Sequence, residues 1–419
     1  MKVLWITYGM FPEVASYITG NRNIKGSGGW LLGAANGLVE CSDVEIRIAI
    51  VNRAIKYRET FIGERISYEL IPFGKGFDYY HNEYDETWKE IKTRFNPDVV
   101  HIHGIESTLA LTYLRACGND NTVISIQGIA GIISRYYNDG LTIMDIVRNL
   151  TLRDIITGKT LISYQKDFQR RGIFEFETLK LAKNVIGRTT WDKQHVWAVN
   201  PDLYYHFCNE TLRDEFYKHK WTYDKCTPYT IFASQGSSPF KGLHFLIKAL
   251  PLIKRIYPQT KLFISGAPLP KTKNEILRQT GYQKYLVKLI KENNCSDSIF
   301  FTGPLDEQEM VNQYLSSNVF VCPSTIENSS NSVAEAQILG VPLVASYVGG
   351  IPDMIPDKEH GIMVRVGEYE MLAKTIVDVF TCSMTFDNTE MRMTAMSRHN
   401  PVQNVKRTLE IYETIIRNK

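Results

Sequence analysis

The sequence lacks a cysteine framework. Its seven cysteines, at 41, 117, 208, 226, 295, 322 and 382, form no CxxC pair. An odd number without framework spacing argues for reduced thiols and so for a cytoplasmic protein. Long apolar runs are missing too. None approaches the ~18 residues that a membrane span needs, so any membrane contact is expected to be peripheral, at the inner face. The opening "MKVLWITYGMFPEV" has a single Lys and a short apolar run broken by Tyr, Gly and Pro, which reads as a first strand and not as a signal peptide. Charge of one sign is also scarce. Lys and Arg number 48 against 45 Asp and Glu, a net charge of +3, too small to imply nucleic-acid binding by itself.

What is present is an ordinary globular composition, 44% hydrophobic and 22% charged over 419 residues. That length exceeds one ordinary core and predicts two domains of roughly 200 residues each. Strand candidates at 2–8, 44–52, 67–73, 98–104 and 121–128 alternate with helical periodicity, for example Trp88, Ile91 and Phe95 on one stripe. After a polar, aromatic break at 200–228 the alternation restarts, with strands at 229–234, 261–266, 298–305, 319–324, 342–350 and 361–366. Such alternation implies parallel sheets covered by helices. The expected fold is α/β with two Rossmann-like, doubly wound domains, residues 1–205 and 225–399. A C-terminal helix at 400–419, striped by Val405, Leu409, Tyr412 and Ile416, is expected to pack back on the first. Residues 135–183 read as mainly helical, with nine Lys/Arg against six Asp/Glu. This is either a solvated face or a basic surface for an anionic acceptor or membrane headgroups.

In open α/β sheets ligands sit outside the carboxyl ends of the strands, so the residues just after strands carry the chemistry. "IKGSGGWLLGAANGL" (24–38) leads glycines into a helix, which suits a phosphate, although it is neither a GxGxxG fingerprint nor a P-loop. "SQGSSPFKGLHFLIKAL" (234–250) puts Lys241 at a helix start, where the dipole disfavours a cation unless an anion shares the site. "HIHG" (101–104) places His101 and His103 on one face of a strand, with no third ligand to complete a metal site. "ENSSNSVAE" (327–335) follows a core strand. Ser332 and Glu335 fit an S-x-x-E capping box opening a helix at 332–339; capping does not account for Glu327.

The block "ENSSNSVAEAQILGVPLVASYVGGIPDMI" resembles the E-x7-E region of retaining glycosyltransferases of family 4, the glycosyl transferases group 1, which have a GT-B fold. The resemblance extends through 240–266, "PDVVHIHG" (97–104) and the glycine loop at 26–29. It implies a nucleotide-sugar donor held mainly by the C-terminal domain and an acceptor held mainly by the N-terminal one, across an interdomain cleft. Glu335 then matches the glutamate on the ribose hydroxyls, and Glu327 the one beside the donor sugar. The backbone of Asn328, Ser329, Ser330 and Asn331 lies where loop amides meet sugar and phosphate. Lys241 matches the lysine on the diphosphate, Gly28 and Gly29 the loop closing over it, and His103 a histidine near the reacting sugar. The family's usual Arg before that lysine is absent; Ser234, Gln235 and Gly236 stand there, so Gln235 is taken as a donor contact. Arg188 is a further candidate cation. No metal or other cofactor is implied, and the absence of any D-x-D agrees. The donor is expected to be UDP- or GDP-linked.

The implied activity is sugar transfer with retention to a hydroxyl of a glycan or lipid-linked acceptor, in surface polysaccharide synthesis. Three alternatives compete. A glycoside hydrolase using Glu327 and Glu335 as paired carboxylates leaves the phosphate-suited loops without purpose. A binding protein of the same fold without transferase activity and a sugar-nucleotide epimerase are the others.

Overall fold

The computed structural model describes residues 1–20, 29–41 and 43–418. The chain divides into two compact units, each with its own sheet. The first comprises Met1–Gly131, Arg170–Arg213 and Arg398–Lys419; the second comprises Ile132–Gln169 and Asp214–Ser397. Residues 132–169, read from sequence with the first domain, thus group with the second.

The first unit contains β1 (Lys2–Thr7), β2 (Glu45–Asn52), β3 (Glu59–Ile62), β4 (Ser67–Pro72), β5 (Val99–His103), β6 (Thr122–Ser125), β7 (Asn184–Gly187) and β8 (Tyr204–Phe207). Their order across the sheet is β3-β4-β2-β1-β5-β6-β7-β8. Only the β3–β4 pairing is antiparallel. Every residue of β5 is buried, as expected of a parallel strand covered on both faces. Strands β3, β7 and β8 went unanticipated. β3 is a mostly exposed edge strand with no apolar run, and β8 is a partly exposed edge strand inside the stretch read as a break.

The helix Pro401–Arg417 starts on an Asn400 side chain that accepts from the Gln403 amide, with proline in the first turn. It buries Val405, Ile411, Tyr412 and Ile415 in this unit. Leu409 packs against the same core, but Ile416 is exposed. The buried line therefore reaches Ile415 on the last turn instead of its neighbour. Trp5 Nε1 donates to Tyr412 Oη at 2.9 Å. The Tyr412 hydroxyl is 2.7 Å from His101 Nδ1, and His101 Nε2 is 2.6 Å from Ser125 Oγ. Since Trp5 can only donate, the chain is satisfied when Tyr412 donates to Nδ1 and His101 carries its proton on Nε2.

The second unit contains β9 (Thr227–Ala233), β10 (Lys261–Ser265), β11 (Ile299–Gly303), β12 (Ser317–Cys322), β13 (Leu343–Ser346) and β14 (Ile362–Val364). The order is β11-β10-β9-β12-β13-β14, and every pairing is parallel. After β9 the chain builds outward through β10 and β11, then returns to lay β12 on the other side of β9. The β9/β12 boundary is therefore a topological switch point, where loops diverge and leave a crevice. In the first unit the same reversal falls between β1 and β5.

Burial lowers the His101 pKa to about 3, against about 6.5 in an unfolded chain. The unfolded state binds the proton first, so this histidine's contribution to stability is present above about pH 6.5 and is lost as pH falls toward 3, at up to ~1.4 kcal/mol per pH unit. Urea unfolding between pH 7 and pH 4 should show that slope, and His101→Gln should reduce it by one proton.

Candidate functional site

The β9/β12 switch point brings two loops into register. Ser234 and Gln235 leave β9, and a single turn, Pro239–Lys241, precedes the helix Leu243–Lys254. Gly242, which joins turn to helix, has φ 70°, and a Cβ there would lie 1.8 Å from the Pro323 carbonyl oxygen. Only glycine allows both the left-handed backbone and that approach. Thr325 N donates to Phe240 O at 2.8 Å, tying the turn to the loop after β12. Lys241 is thereby set beside Glu327.

Lys241 Nζ lies 2.7 Å from Glu327 Oε1, with both side chains less than one-fifth exposed. Ser324 Oγ donates to the same carboxylate oxygen at 2.7 Å. Burial pulls the Lys241 ammonium down, but the Glu327 carboxylate outweighs this and holds its pKa above the usual range. The Cys322 thiol beneath is pushed up to about 11, by burial first and then by the Glu327 charge. It stays protonated at neutral pH and is not a nucleophile. The loop after β13 grips Glu327 from the other side. Gly350 N donates to Glu327 O at 3.0 Å, and a Cβ at Gly349, φ 52°, would sit 1.8 Å from that same oxygen.

The capping-box expectation for Ser332 and Glu335 is overturned. The helix is Asn331–Leu339, its N-cap is Ser330, and the Ser330 side chain makes no capping hydrogen bond. Ser332 lies inside the first turn, 3.0 Å from the Ser330 hydroxyl, and Glu335 lies in the second turn, beyond the position a box requires. Its buried carboxylate instead meets the Tyr314 hydroxyl, 3.3 Å from Oε2 and 3.0 Å from Ser332 O. The Ser330 side chain makes no capping bond to the first turn, and the start of a helix is a place that favours an anion.

The proposed residues fall into two sets. Lys241, Glu327, Ser234, Gln235, Ser324 and Ser332 line one small crevice in the second unit. Lys241 is the single cation among these described residues. Its pairing with Glu327 also gives the helix-start lysine an internal partner, which the sequence did not disclose. His103 and Arg188 line a separate cavity in the first unit with Trp5 and Glu210. His103 ends β5, its ring 4.4 Å from that of Trp5 and 4.0 Å from that of His101. Burial, then the neighbouring His101, holds its pKa well below the usual value, so it is neutral at pH 7. Arg188 is committed locally: Nη1 lies 2.5 Å from Glu210 Oε2, and Nη2 donates to Ile126 O at 3.0 Å. Gly29 is the first residue of the helix Gly29–Cys41; Gly28 lies outside the described residues.

Sequence reasoning missed Ser324, Tyr314 and the specific role of Gly349. The glycine pair after β13 was a visible signal; a serine and a tyrosine inside ordinary elements gave none.

Against known proteins, residues 214–400 match the family model described as glycosyl transferases group 1. The matched stretch is 187 of the 419 residues and falls almost entirely in the second unit. A D-inositol 3-phosphate glycosyltransferase of Mycolicibacterium smegmatis is 34% identical over 141 residues, 34% of this chain and 30% of that protein. Matched segments span only 20% to 34% of the first curated relatives' lengths. Among solved structures, sucrose-phosphate synthase from Thermosynechococcus elongatus superposes with a TM-score of 0.70 at 15% identity, covering 100% of both chains. Alr3699/HepE of Anabaena, in complex with UDP-glucose, gives 0.65 at 14% identity, covering 99% of this chain and 100% of that one. The fold is that of the GT-B glycosyltransferases. The crevice described above lies wholly within the matched residues 214–400.

Gly349→Ala should destabilise the second unit by roughly 1–3 kcal/mol, because it combines a disfavoured φ with a carbonyl clash. Urea unfolding checks this; an unchanged midpoint would mean that the loop does not hold Glu327 as described.

Proposed function

We propose that the chain is a retaining glycosyltransferase that moves a sugar from a nucleotide-sugar donor to a hydroxyl of a glycan or lipid-linked acceptor, in the synthesis of surface polysaccharide. The observation that carries this is the crevice at the β9/β12 switch point, where an ammonium, a carboxylate and a helix start whose N-cap side chain makes no capping bond converge inside the segment matched by the group 1 family model.

In this reading the nucleoside diphosphate sits against the first-turn amides of the helix Asn331–Leu339, with Lys241 on its oxygens. As the sugar–phosphate bond breaks, charge grows on the diphosphate, and donors already aimed at it stabilise that charge without reorganisation. Glu335 accepts from the ribose hydroxyls, held in place by Tyr314. Glu327 shares Lys241 with the phosphate and accepts from the donor sugar's hydroxyls, fixing the ring. The loop 328–331 brings backbone close to the sugar. Attack from the face of departure lets the leaving phosphate take the acceptor's proton, so no protein base is needed at the reacting carbon. Neutral His103 offers a hydrogen bond to the sugar and adds no charge.

A thermal-shift panel of UDP-, GDP-, ADP- and CMP-sugars tests the donor assignment, with UDP-linked sugars first because the Anabaena neighbour is seen with UDP-glucose. One of them should raise the melting temperature at concentrations above its Kd; stabilisation by none would overturn the reading. Lys241→Met should weaken nucleoside diphosphate binding about 10- to 100-fold, the worth of a charge-assisted hydrogen bond, while leaving the nucleoside alone unaffected. Glu335→Gln should do the reverse, weakening nucleoside and nucleotide alike. Glu327→Gln should lower kcat while the donor's thermal shift persists. A wild-type protein that binds donor but transfers nothing to any acceptor would favour the binding-protein alternative. NMR of the product's anomeric proton decides retention.

A further inference from the structure

Two short helices in the second unit, Ile143–Arg148 and Leu152–Thr157, turn six of their apolar side chains away from the core. Ile143, Met144, Val147, Leu152, Ile155 and Ile156 are 52–77% exposed. Each set places three apolar residues within five positions, so both helices present the same kind of face. The opposite face is firmly anchored. Ile146, Asn149 and Asp154 are buried. Lys284 Nζ donates to Arg148 O at 3.2 Å and Leu150 O at 3.0 Å, and Thr151 Oγ1 donates to Gln279 O at 3.0 Å. The exposed aliphatics therefore belong to a fixed surface. The helix Lys273–Arg278 lies beside the second of these helices and adds Ile276 and Leu277, both exposed.

Basic side chains outnumber acidic ones two to one on this surface, six against three in 143–159 and 271–278. Its acids are used in helix caps: Asp145 with Thr142, Asp154 with Thr151 and Glu275 with Thr272. The basic residues Arg148, Lys159, Lys271, Lys273 and Arg278 are exposed. An apolar face rimmed by cations, on helices lying flat against the protein, has the chemistry of an interfacial lipid anchor. A second copy of the chain is disfavoured as occupant, because a two-fold contact would set this basic rim against itself.

We propose that residues 143–157, with the adjoining 271–278 segment, dock on a bilayer containing anionic lipid, burying the aliphatic side chains among acyl chains while the basic rim meets the headgroups. The inference does not depend on the transfer reading, because docking is measured without donor or acceptor.

The test is co-sedimentation of the full chain with vesicles of phosphatidylcholine containing phosphatidylglycerol, against vesicles of phosphatidylcholine alone. Wild type should pellet with the anionic vesicles and be released by salt. The triple variant Ile143→Ser, Ile155→Ser, Ile156→Ser should bind at least about tenfold more weakly; its sites are exposed, and an unchanged circular dichroism spectrum and melting temperature would verify folding. Ile155→Trp should show a blue-shifted emission on adding anionic vesicles. Failure of wild type to pellet, equal pelleting of the triple variant, or a concentration-dependent dimer in light scattering that the triple variant abolishes would each overturn the proposal.

Discussion

An ammonium and a carboxylate 2.7 Å apart, at the ends of two adjacent parallel strands, set the terms for what surrounds them. Lys241 and Glu327 are both largely withdrawn from water, a state that is stable only while the charges stay paired and their remaining hydrogen-bonding capacity is used. Ser324 supplies one such bond. The other constraints are steric. At Gly242 and again at Gly349 a Cβ would occupy space already taken by a carbonyl oxygen. These glycines let three loops, after β9, β12 and β13, close on one another at atomic contact. The pair is thereby fixed by backbone and not by long flexible side chains alone, which is the rigidity that a site for charge stabilisation needs.

Much of this was legible in the sequence, for reasons that also explain what was not. Strand-then-glycine segments announced a doubly wound fold because parallel strands covered on both faces are short, nearly continuous apolar runs, and their ends are punctuated by residues free to turn. Lys241, Glu327 and Glu335 stood out because charged residues directly after such runs have no core to join. The edge strand β8 escaped because it is partly exposed and lies in a polar, aromatic stretch with no apolar run. The grouping of residues 132–169 with the second unit escaped because it depends on contacts such as His244 Nε2 to Asp139 O at 3.1 Å, which local sequence does not encode. The Lys241–Glu327 pairing joins residues 86 positions apart and was equally out of reach, although each partner was singled out alone.

That pairing changes the electrostatic question. The sequence suggested a diphosphate clamp short of one cation, with Arg188 as a substitute. In the structure Arg188 is neutralised by Glu210 and bound to backbone carbonyls, while Lys241 carries Glu327 on its ammonium. Among the described residues lining the crevice, the formal charges cancel. An anion entering there must share Lys241 with Glu327, and the backbone must supply the rest. The amides of the helix start provide about half a positive charge at no desolvation cost of a second ion. A site built this way holds its anion by geometry more than by net charge. Its affinity should therefore be less sensitive to salt than a clamp of two exposed arginines would be.

The failed capping box makes the same point from a different direction. Six true boxes occur among the described residues, at Thr142, Thr151, Thr189, Thr272, Thr280 and Asp306, each with its partner three residues on. The pattern is therefore one this chain uses routinely to fasten helices. Ser332 and Glu335 have the right residues at the right spacing and are not used that way, because the helix begins earlier, at Asn331. Had Ser332 been the cap, Glu335 would have bonded back to the backbone and the first-turn amides would have been partly satisfied. Starting the helix earlier makes Ser330 the N-cap, whose side chain forms no capping bond, and carries Glu335 to the second turn, beside Tyr314. A local rule that the chain obeys six times and sets aside once, at the switch point of its sheet, marks the place where stability was not the only requirement.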